Sequence, residues 1–340
     1  MKWNSLLQKT ARKVSRKGGE RLKLFSVWGA HLMGQRYIGV FIDPILACNL
    51  RCQMCYFSDH AYRATLQGRL TAEDCDQFAA NLFPYALRLQ IGCGAEPSLA
   101  PDMVIRLIQL GRQYKVPFIS VVTNGNLFTS DILQEAVTAG LNELILSLHG
   151  VRKETYESLM VGAKWERFIS LLESLKKLNN PPAVRLNYTM NKDNITELSA
   201  LPDLIRDYPI TTVQLRPIQK IGESAYQDFS MKPLLDVYDE IIEPTVRRLQ
   251  TAGIEVFCPD KKKMSITATP PRHLAKLFEE ATYYYLSPQS NGPGIVDFRK
   301  VSFLDYTRKT HLAKKLFRAI LFEKNTLSVK ALHTTKKLNY

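Results

Sequence analysis

Three cysteines lie close together in a segment that could bind an inorganic centre. Cys48, Cys52 and Cys55 follow an apolar run at residues 37–46 that has the character of a strand. On a loop that leaves a strand, C-x3-C-x2-C spacing lets three thiolates converge on one centre. A structural metal site uses four protein donors, whereas a centre with three leaves one position open for a substrate. Thiolates without a second Cys-x2-Cys pair nearby favour an iron–sulfur cluster over zinc.

The residues alone leave two other interpretations of the triplet open. His60, five residues after Cys55, would complete a Cys3His zinc site, and otherwise the three side chains would be ordinary core cysteines. The other cysteines, at positions 75, 93 and 258, are too scattered for a disulfide framework, and a low-potential cluster needs a reducing compartment. No apolar run is long enough to span a membrane and no secretory signal is recognisable, so we predict a cytoplasmic location.

A repeated pattern of strand, loop and helix must position the cysteine segment. Apolar runs that read as strands occur six times, at residues 38–43, 87–92, 117–122, 143–148, 184–190 and 211–216. Apolar strands separated by helices predict a parallel sheet with right-handed crossovers. In barrels built this way, chemistry takes place at the carboxyl ends of the strands, which makes the residues there the candidate site.

Several further elements have recognisable signals. Thr71, followed by acidic residues, has the character of a helix N-cap. Asn194 and Glu197 have the spacing of a capping box, which predicts that a helix follows them. A continuous helix at 234–252 and a short strand at 254–257 complete the pattern.

The cysteine spacing after the first strand resembles the signature of the radical S-adenosylmethionine (radical SAM) superfamily. Six strand–helix units resemble that family's α/β fold, a partial (β/α)6 barrel related to the TIM barrel. The resemblance implies that the three cysteines bind three irons of a [4Fe–4S] cluster, and that S-adenosylmethionine chelates the fourth iron. It also implies an enzyme that reductively cleaves S-adenosylmethionine and abstracts a hydrogen atom from a substrate, with a reductant such as flavodoxin or ferredoxin. Substrate and reaction class, oxidoreductase or transferase, are left open.

The resemblance extends to the ends of other strands. Gly94-Ala95-Glu96, before a proline, resembles the family's Gly-Gly-Glu-Pro motif, whose backbone holds the amino group of the methionine moiety. Ala95 replaces a glycine there and requires an ordinary φ. By the same resemblance, Ser147 is expected to touch the methionine or ribose of the cofactor, and Asn187 its ribose hydroxyls.

Other positions depart from the family pattern or allow two interpretations. Met54 stands where relatives often have an aromatic residue near the adenine, and its thioether can cover the same ring face. Met160 stands where many relatives have an arginine for the methionine carboxylate, a role that Arg185 could take over.

Thr-Asn-Gly at 123–125 resembles a family turn, and we expect its polar side chains to be structural. Cys93 could donate a hydrogen atom to a substrate radical or be a core cysteine. After residue 100 a single cysteine remains, which excludes an auxiliary cluster there.

The charge of the chain is concentrated at its ends. Residues 1–36 contain nine Lys/Arg and one acidic residue, and residues 297–340 contain eleven and three, within a net charge of +14. This pattern predicts an anionic partner, either RNA or a membrane surface, or simply a solubilising surface.

We therefore expect two basic extensions, 1–36 and 297–340, around a radical SAM core at 37–222 and a capping segment at 223–296. The first extension is expected to pack against the base of the barrel, with peripheral membrane contact as the alternative. An RNA-modifying enzyme and a non-catalytic zinc protein that binds RNA or membranes are the alternative functions.

Overall fold

The computed structural model describes residues 19–265, 272–292 and 295–323. Within them, eight strands form one parallel sheet in the order β7-β6-β5-β4-β3-β2-β1-β8. The strands are β1 (Ile38–Ile42), β2 (Ala86–Ile91), β3 (Phe118–Thr123), β4 (Glu143–Leu148), β5 (Ala183–Met190), β6 (Ile210–Pro217), β7 (Glu255–Phe257) and β8 (Tyr283–Leu286).

Helices connect the strands and cover one face of the sheet. In the described ranges they are α1 (Glu20–Leu32), α2 (His60–Thr65), α3 (Ala72–Leu82), α4 (Pro101–Gln113), α5 (Ser130–Ala139), α6 (Lys153–Leu159), α7 (Trp165–Lys176), α8 (Leu201–Ile205), α9 (Lys232–Asp236), α10 (Glu243–Thr251), α11 (Lys261–Ser265), α12 (His273–Thr282), α13 (Phe303–Lys309) and α14 (Leu312–Phe322). Short 3-10 turns occur at Tyr56–Ser58, Phe83–Tyr85, Pro97–Leu99 and Ile195–Ala200. No helix in these ranges is both long enough and apolar enough to cross a lipid bilayer.

The predicted α/β fold of partial-barrel type is confirmed. Each of the six predicted strands is present with its ends within one residue of the expected position. The sheet continues beyond these six, because β7 adds an edge beside β6 and β8 pairs with β1 from Gly39 to Ile42. Both added strands come from the segment 223–296, which therefore contributes to the sheet itself. The predicted division of the chain into four parts stays a prediction.

The two faces of the sheet differ in polarity, as expected for a barrel wall. The face toward the helices is apolar and buried, and it includes Val40, Leu89, Val121, Leu146, Leu186 and Val213. The opposite, inner face carries polar side chains in successive strands: Gln90, Ser120, Glu143, Arg185, Asn187 and Gln214. Burial of the apolar face drives assembly, and the polar inner face is left for ligands and for ion pairs.

Two local predictions on helices were wrong. The Asn194–Glu197 capping box does not form, because Glu197 instead accepts hydrogen bonds from the Val151 N–H (2.6 Å) and the Thr155 hydroxyl (2.8 Å). The single helix predicted at 234–252 is divided into α9, a π-helical turn at Tyr238–Ile242 and α10. Pro244 explains the break, because it has no N–H and its ring clashes with the carbonyl four residues earlier.

The basic ends are described only in part. Residues 1–18 of the N-terminal extension lie outside the described residues, as do residues 324–340 of the C-terminal one. The described part of the N-terminal extension is α1, which buries Leu24 and Val27 against α12 and α14. The expected packing of the extension against the base of the barrel stays a prediction.

Candidate active site

The cysteine loop leaves the carboxyl end of β1 and contains several hydrogen bonds of its own. The N–H of Leu50 donates to Cys48 Sγ at 3.4 Å, and the N–H of Phe57 donates to Cys55 Sγ at 3.5 Å. The Arg51 guanidinium donates to the carbonyls of Cys48 and Leu50, at 2.7 Å each. N–H groups directed at sulfur favour the thiolate and tune the potential of an iron–sulfur centre.

The thiols of the loop need a positively charged centre between them in order to bind as thiolates. Burial raises the pKa of Cys48 to about 12, with a smaller contribution from the charge of Glu96. Burial also raises the pKa of Cys52 well above its usual value, and the neighbouring Cys55 and Cys48 add to the rise. Thiols that disfavour one another's ionisation bind as thiolates only when a cationic centre offsets the repulsion.

Zinc coordination through His60 has no support in the structure. His60 is exposed and is the first residue of α2, directly after the N-cap Asp59. Among the described residues, no group of three His, Cys, Asp or Glu side chains is arranged around a single metal ion. A cubane cluster makes a different demand, because each cysteine binds a separate iron and the three sulfurs need not meet at one point.

Glu96 joins the turns that follow β2 and β3. Its buried carboxylate accepts hydrogen bonds from the Thr123 hydroxyl (2.6 Å), the Asn124 N–H (2.8 Å) and the N–H and hydroxyl of Ser98. Burial raises the pKa of Glu96, and these hydrogen bonds offset part of the rise. The Asn124 side chain donates in turn to Asn49 Oδ1 at 2.9 Å, in the cysteine loop. Thr123 and Asn124 therefore have the structural role predicted for them.

A second buried carboxylate, Asp43, holds the backbone just before Glu96. Asp43 follows β1, and its carboxylate accepts from the N–H groups of Cys93 (2.6 Å) and Gly94 (3.0 Å) and from the Tyr285 hydroxyl (2.6 Å). The Gly94 carbonyl accepts a hydrogen bond from the Tyr56 hydroxyl. Sequence reasoning missed Asp43 and Tyr285. A polar residue at the end of a predicted strand was the available signal for Asp43.

The loops after β1, β2 and β3 thus form one connected site at the carboxyl edge of the sheet. The sequence profile of the radical SAM superfamily matches residues 42–205, a range that contains the cysteine loop and both turns joined by Glu96. The chain belongs to the radical SAM superfamily. Members of this superfamily carry a [4Fe–4S] cluster and use S-adenosylmethionine, and both the number and the type of the donors described here fit that cluster.

Similar proteins place this radical SAM chain among distant relatives. It is 26% identical over 227 residues to an AdoMet-dependent heme synthase of Methanosarcina barkeri (strain Fusaro / DSM 804), which covers 66% of this chain and 59% of that relative. It is 25% identical over 176 residues to a probable GTP 3′,8-cyclase of Saccharolobus solfataricus (strain ATCC 35092 / DSM 1617 / JCM 11322 / P2), covering 52% and 55%. The crystal structure of Streptococcus suis SuiB bound to S-adenosylmethionine matches with a TM-score of 0.56 at 15% identity, over 75% of this chain and 59% of that chain. The chain thus spans less than two thirds of each relative's length, and the structural likeness concerns the fold.

On the inner face of this radical SAM sheet, Ser147, Asn187 and Gln214 lie side by side in register on β4, β5 and β6. Asn187 is 1% exposed, and neither polar atom of its side chain has a hydrogen-bond partner within the described residues. The side-chain oxygen of Gln214 is likewise buried without a partner in that part of the chain. Buried polar atoms left in this state cost free energy until a ligand pairs with them. The cofactor roles of Ser147 and Asn187 stay predictions, and the position of these two residues in the row is compatible with them.

The remaining predicted positions have mixed outcomes. Ala95 has no positive φ, so alanine is tolerated in the turn, and Met54 Sδ lies 3.2 Å from the Asn191 amide nitrogen at the edge of the site. Cys93 is 6% exposed and its thiol donates to the Gln90 carbonyl at 3.8 Å, a contact that suits a core cysteine. Its role as a hydrogen-atom donor stays a prediction, as do the cofactor contacts of Met54, Gly94 and Ala95.

Arg185, considered above as a partner for the methionine carboxylate, pairs with a carboxylate of the protein in this structure. Its guanidinium donates twice to Glu143 Oε1, and both residues lie nearer the amino-terminal ends of their strands than the Ser147–Asn187 pair does. Met160 is fully buried, so it contributes no polar group to the site. The group that would pair with the methionine carboxylate stays unassigned.

A histidine at the end of β4 gives this radical SAM protein a predicted acid sensitivity. Burial lowers the pKa of His149 from 6.5 to about 4, the nearby Arg216 contributes to the fall, and the neutral ring accepts the Thr189 N–H at Nδ1 (3.3 Å). Between these two pH values the unfolded chain binds the proton more readily than the folded one, so stability falls as the pH falls. We expect the apoprotein to lose about 2 kcal/mol over that interval in urea unfolding. His149→Asn, which keeps an acceptor for Thr189, should remove that slope, and parallel curves for the two proteins would refute the assignment.

Proposed function

We propose that this chain reductively cleaves S-adenosylmethionine at a single [4Fe–4S] cluster and abstracts a hydrogen atom from a substrate C–H bond. The observation that carries the proposal is the connection of the cysteine loop to the turns after β2 and β3 through Glu96 and Asn124. The proposal is supported by this connection, because the three segments that resemble superfamily motifs lie at the edge of the sheet where barrel enzymes carry out their chemistry. A cluster held by Cys48, Cys52 and Cys55 would supply, once reduced by an external donor, the electron needed to cleave the sulfonium of S-adenosylmethionine.

The residues of the chain have binding and orienting roles in this proposal. Cys48, Cys52 and Cys55 hold the cluster, and the backbone at Gly94 and Ala95 receives the methionine moiety. The carboxylates beneath that backbone fix it before the ligand arrives, so little ordering remains to be done on binding. We propose that the amide of Asn187, which has no hydrogen-bond partner within the described residues, pairs with the ribose, with Ser147 beside it, and that Met54 lies against the adenine.

The substrate is proposed to lie against the inner face next to the cofactor. The Gln214 side-chain oxygen is buried there without a partner in the described chain, and Arg216 follows it at the mouth of the sheet. A substrate with polar groups could form hydrogen bonds with the polar atoms of this inner face, whereas a wholly apolar substrate would leave those atoms unpaired. The names of the relatives refer to different compounds, so they do not indicate one substrate. We propose that the inner face of this chain determines which substrate binds.

Radical SAM enzymes need an electron donor, and we propose flavodoxin or ferredoxin in a reducing cytoplasm. A cleft of about 680 Å³ opens beside the cysteine loop, and its walls include Gln53, which adjoins the ligand Cys52. The Tyr226 N–H donates to the Gln53 carbonyl at 2.9 Å, so the 223–296 segment forms part of the same wall. We propose that the reductant docks at this cleft, because it gives a partner a short path to the cluster.

The decisive experiment compares cluster and zinc chemistry in the same preparation. Wild-type protein and His60→Ala are purified anaerobically, reconstituted with iron and sulfide, and analysed for metal content and visible absorption. We expect both proteins to be brown, to contain iron and sulfide, and to release 5′-deoxyadenosine when reduced with dithionite in the presence of S-adenosylmethionine. A colourless wild-type protein that contains zinc, and that loses the metal in the His60→Ala variant, would overturn the proposal.

A further inference from the structure

The exposed apolar side chains of this protein are concentrated on one part of its surface. Thirteen large hydrophobic residues are exposed in the described chain, and eight of them belong to α1, α13, α14 or the residue after α1. These eight are Leu22, Phe25, Leu32, Met33, Leu304, Phe317, Leu321 and Phe322. Single exposed apolar residues are common on protein surfaces, whereas a cluster of this kind marks an interaction site.

The exposed residues of α1 lie on the side of the helix that faces away from the core. Leu24 and Val27 are buried, whereas Leu22, Phe25 and Leu32 follow one another at spacings of three and seven residues. Such spacings place the three side chains along one stripe. Helix α1 is therefore apolar on two sides: one side packs into the protein, and the other faces outward.

Helix α14 continues the same surface. It buries Leu312, Leu316 and Ala319, whereas Phe317, Leu321 and Phe322 are 43%, 50% and 74% exposed. The two helices pack against each other. We call the outward side chains of the two helices, Leu22, Phe25, Leu32, Phe317, Leu321 and Phe322, the α1–α14 face.

Aromatic contacts make the face continuous across the two helices. The ring of Trp28 lies 5.8 Å from that of Phe25 and 5.4 Å from that of Phe317, measured between centroids. The Arg21 guanidinium donates to the carbonyls of Ile320 and Glu323 at the end of α14, which fixes the two helices together. The face is thus a fixed surface of two helices joined by a row of three aromatic rings.

Positive charge surrounds this apolar surface. Residues 20–36 and 303–323 together contain eight Lys/Arg and three acidic residues, and Lys314 and Arg318 lie on the exposed side of α14. In the sequence, residues 1–19 lead directly into α1 and contain six Lys/Arg, and residues 324–340 leave α14 and contain four. Neither of these two segments contains an acidic residue. Ten further cations are therefore tethered to the two ends of the face.

We propose that the α1–α14 face binds the surface of an anionic lipid bilayer, with its Phe and Leu side chains in the headgroup region. An apolar helical surface with aromatic residues, on two segments in which eight Lys/Arg outnumber three acidic residues, has the chemistry of interfacial membrane association. An RNA partner would use the cations but would leave the exposed Leu and Phe side chains in water. A second copy of the chain would bring like charges together around the same face.

The proposed contact leaves the site free for chemistry. Helix α1 leads into the N-terminal end of β1, whereas the cysteine loop leaves the carboxyl end of that strand. The two features therefore belong to opposite ends of β1. The inference is independent of the proposed function, because membrane binding can be measured without S-adenosylmethionine cleavage.

The test is co-sedimentation of the full chain with vesicles of phosphatidylcholine alone or of phosphatidylcholine mixed with phosphatidylglycerol. We expect binding to the mixed vesicles, weaker binding at high salt, and little binding to phosphatidylcholine alone. Phe25→Ser/Phe317→Ser should reduce the partition coefficient at least about tenfold. Lys314→Gln/Arg318→Gln should reduce it about fivefold for each cation removed.

Two variants keep the result interpretable. Phe322→Ser changes the most exposed residue of the face, so it preserves the fold even if the double variant is destabilised, and it should reduce the partition coefficient about tenfold. Leu87→Ser/Ile295→Ser removes two apolar residues that are 48% and 58% exposed elsewhere on the surface, and it should bind vesicles like the wild type.

Three outcomes would overturn the proposal. One is absence of wild-type binding to anionic vesicles. Another is vesicle binding that the Phe322 and Phe25/Phe317 variants retain in full. The third is a wild-type dimer in light scattering that Phe322→Ser converts to a monomer, because a second copy would then be the occupant. Salt-dependent binding of a random-sequence RNA without vesicle binding would assign the basic ends to RNA instead.

Discussion

Serine at Cys48, Cys52 or Cys55 is expected to abolish both cluster assembly and S-adenosylmethionine cleavage. Each thiolate occupies a separate iron, and the harder hydroxyl of serine is a poor replacement for it. The other cysteines are poor substitutes, because Cys75 and Cys93 are buried in the core and Cys258 follows β7, at the opposite edge of the sheet from β8. The measurement is iron and sulfide content, the visible absorption of the cluster, and release of 5′-deoxyadenosine after reduction. We expect all three to fall to background.

Cys258→Ser is the matched control for these substitutions. Cys258 is half-buried, as the three ligands are, and its thiol contacts the Pro259 carbonyl rather than the cysteine loop. The control should keep its cluster and its turnover. Turnover by an iron-containing Cys52→Ser protein, or an equal loss of cluster in Cys258→Ser, would contradict the assignment of the three ligands.

The sequence was sufficient for the part of the fold that local patterns determine. Each predicted strand is a largely apolar run, and its length can be read from the apolar residues that face the helices. The Thr71 cap was equally predictable, because its partner Asp74 lies three residues away and the reciprocal hydrogen bonds form. Local signals of this kind depend on few residues outside the segment.

Features that depend on distant partners were not predictable. The strand β8 is four residues long, Tyr-Tyr-Tyr-Leu, and it becomes a strand because the free edge of β1 is available to it. Glu197 has the spacing of a capping box, but the N–H of Val151, 46 residues earlier in the chain, takes its carboxylate. The same applies to the site. The cysteines could be identified from their spacing, whereas the sequence shows Asp43 only as a polar residue at the end of a strand and does not show its hydrogen bond with Tyr285, 242 residues away.

Glu96→Gln is expected to destabilise the protein by about 3 kcal/mol and to weaken S-adenosylmethionine binding. One oxygen of Glu96 accepts from Asn124 N–H, and the other accepts from Ser98 N–H as well as from two hydroxyls. A glutamine amide has only one acceptor oxygen, so in either orientation its NH2 group faces a backbone N–H. One buried N–H is then left unpaired, and the charge-assisted hydrogen bonds are lost.

The effect on binding follows from the position of Glu96 between the two turns. Loosening Asn124 releases its contact with Asn49 in the cysteine loop, and the Gly94–Ala95 backbone loses its anchor on the side of Ser98. Positioning groups of this kind typically change affinity about 10–100-fold. We therefore expect a loss of that size in the dissociation constant of S-adenosylmethionine, measured by calorimetry on reconstituted protein, with the cluster content unchanged.

Glu197→Gln separates a general loss of stability from an effect on the site. Glu197 is also a buried carboxylate that accepts one backbone N–H and one hydroxyl, but its partners lie at the start of α6 and not in the site. Its substitution should lower the free energy of unfolding by about 1–2 kcal/mol while S-adenosylmethionine binds as in the wild type. If both variants weakened binding equally, the loss would come from global destabilisation, and Glu96 would have no special role in holding the two turns.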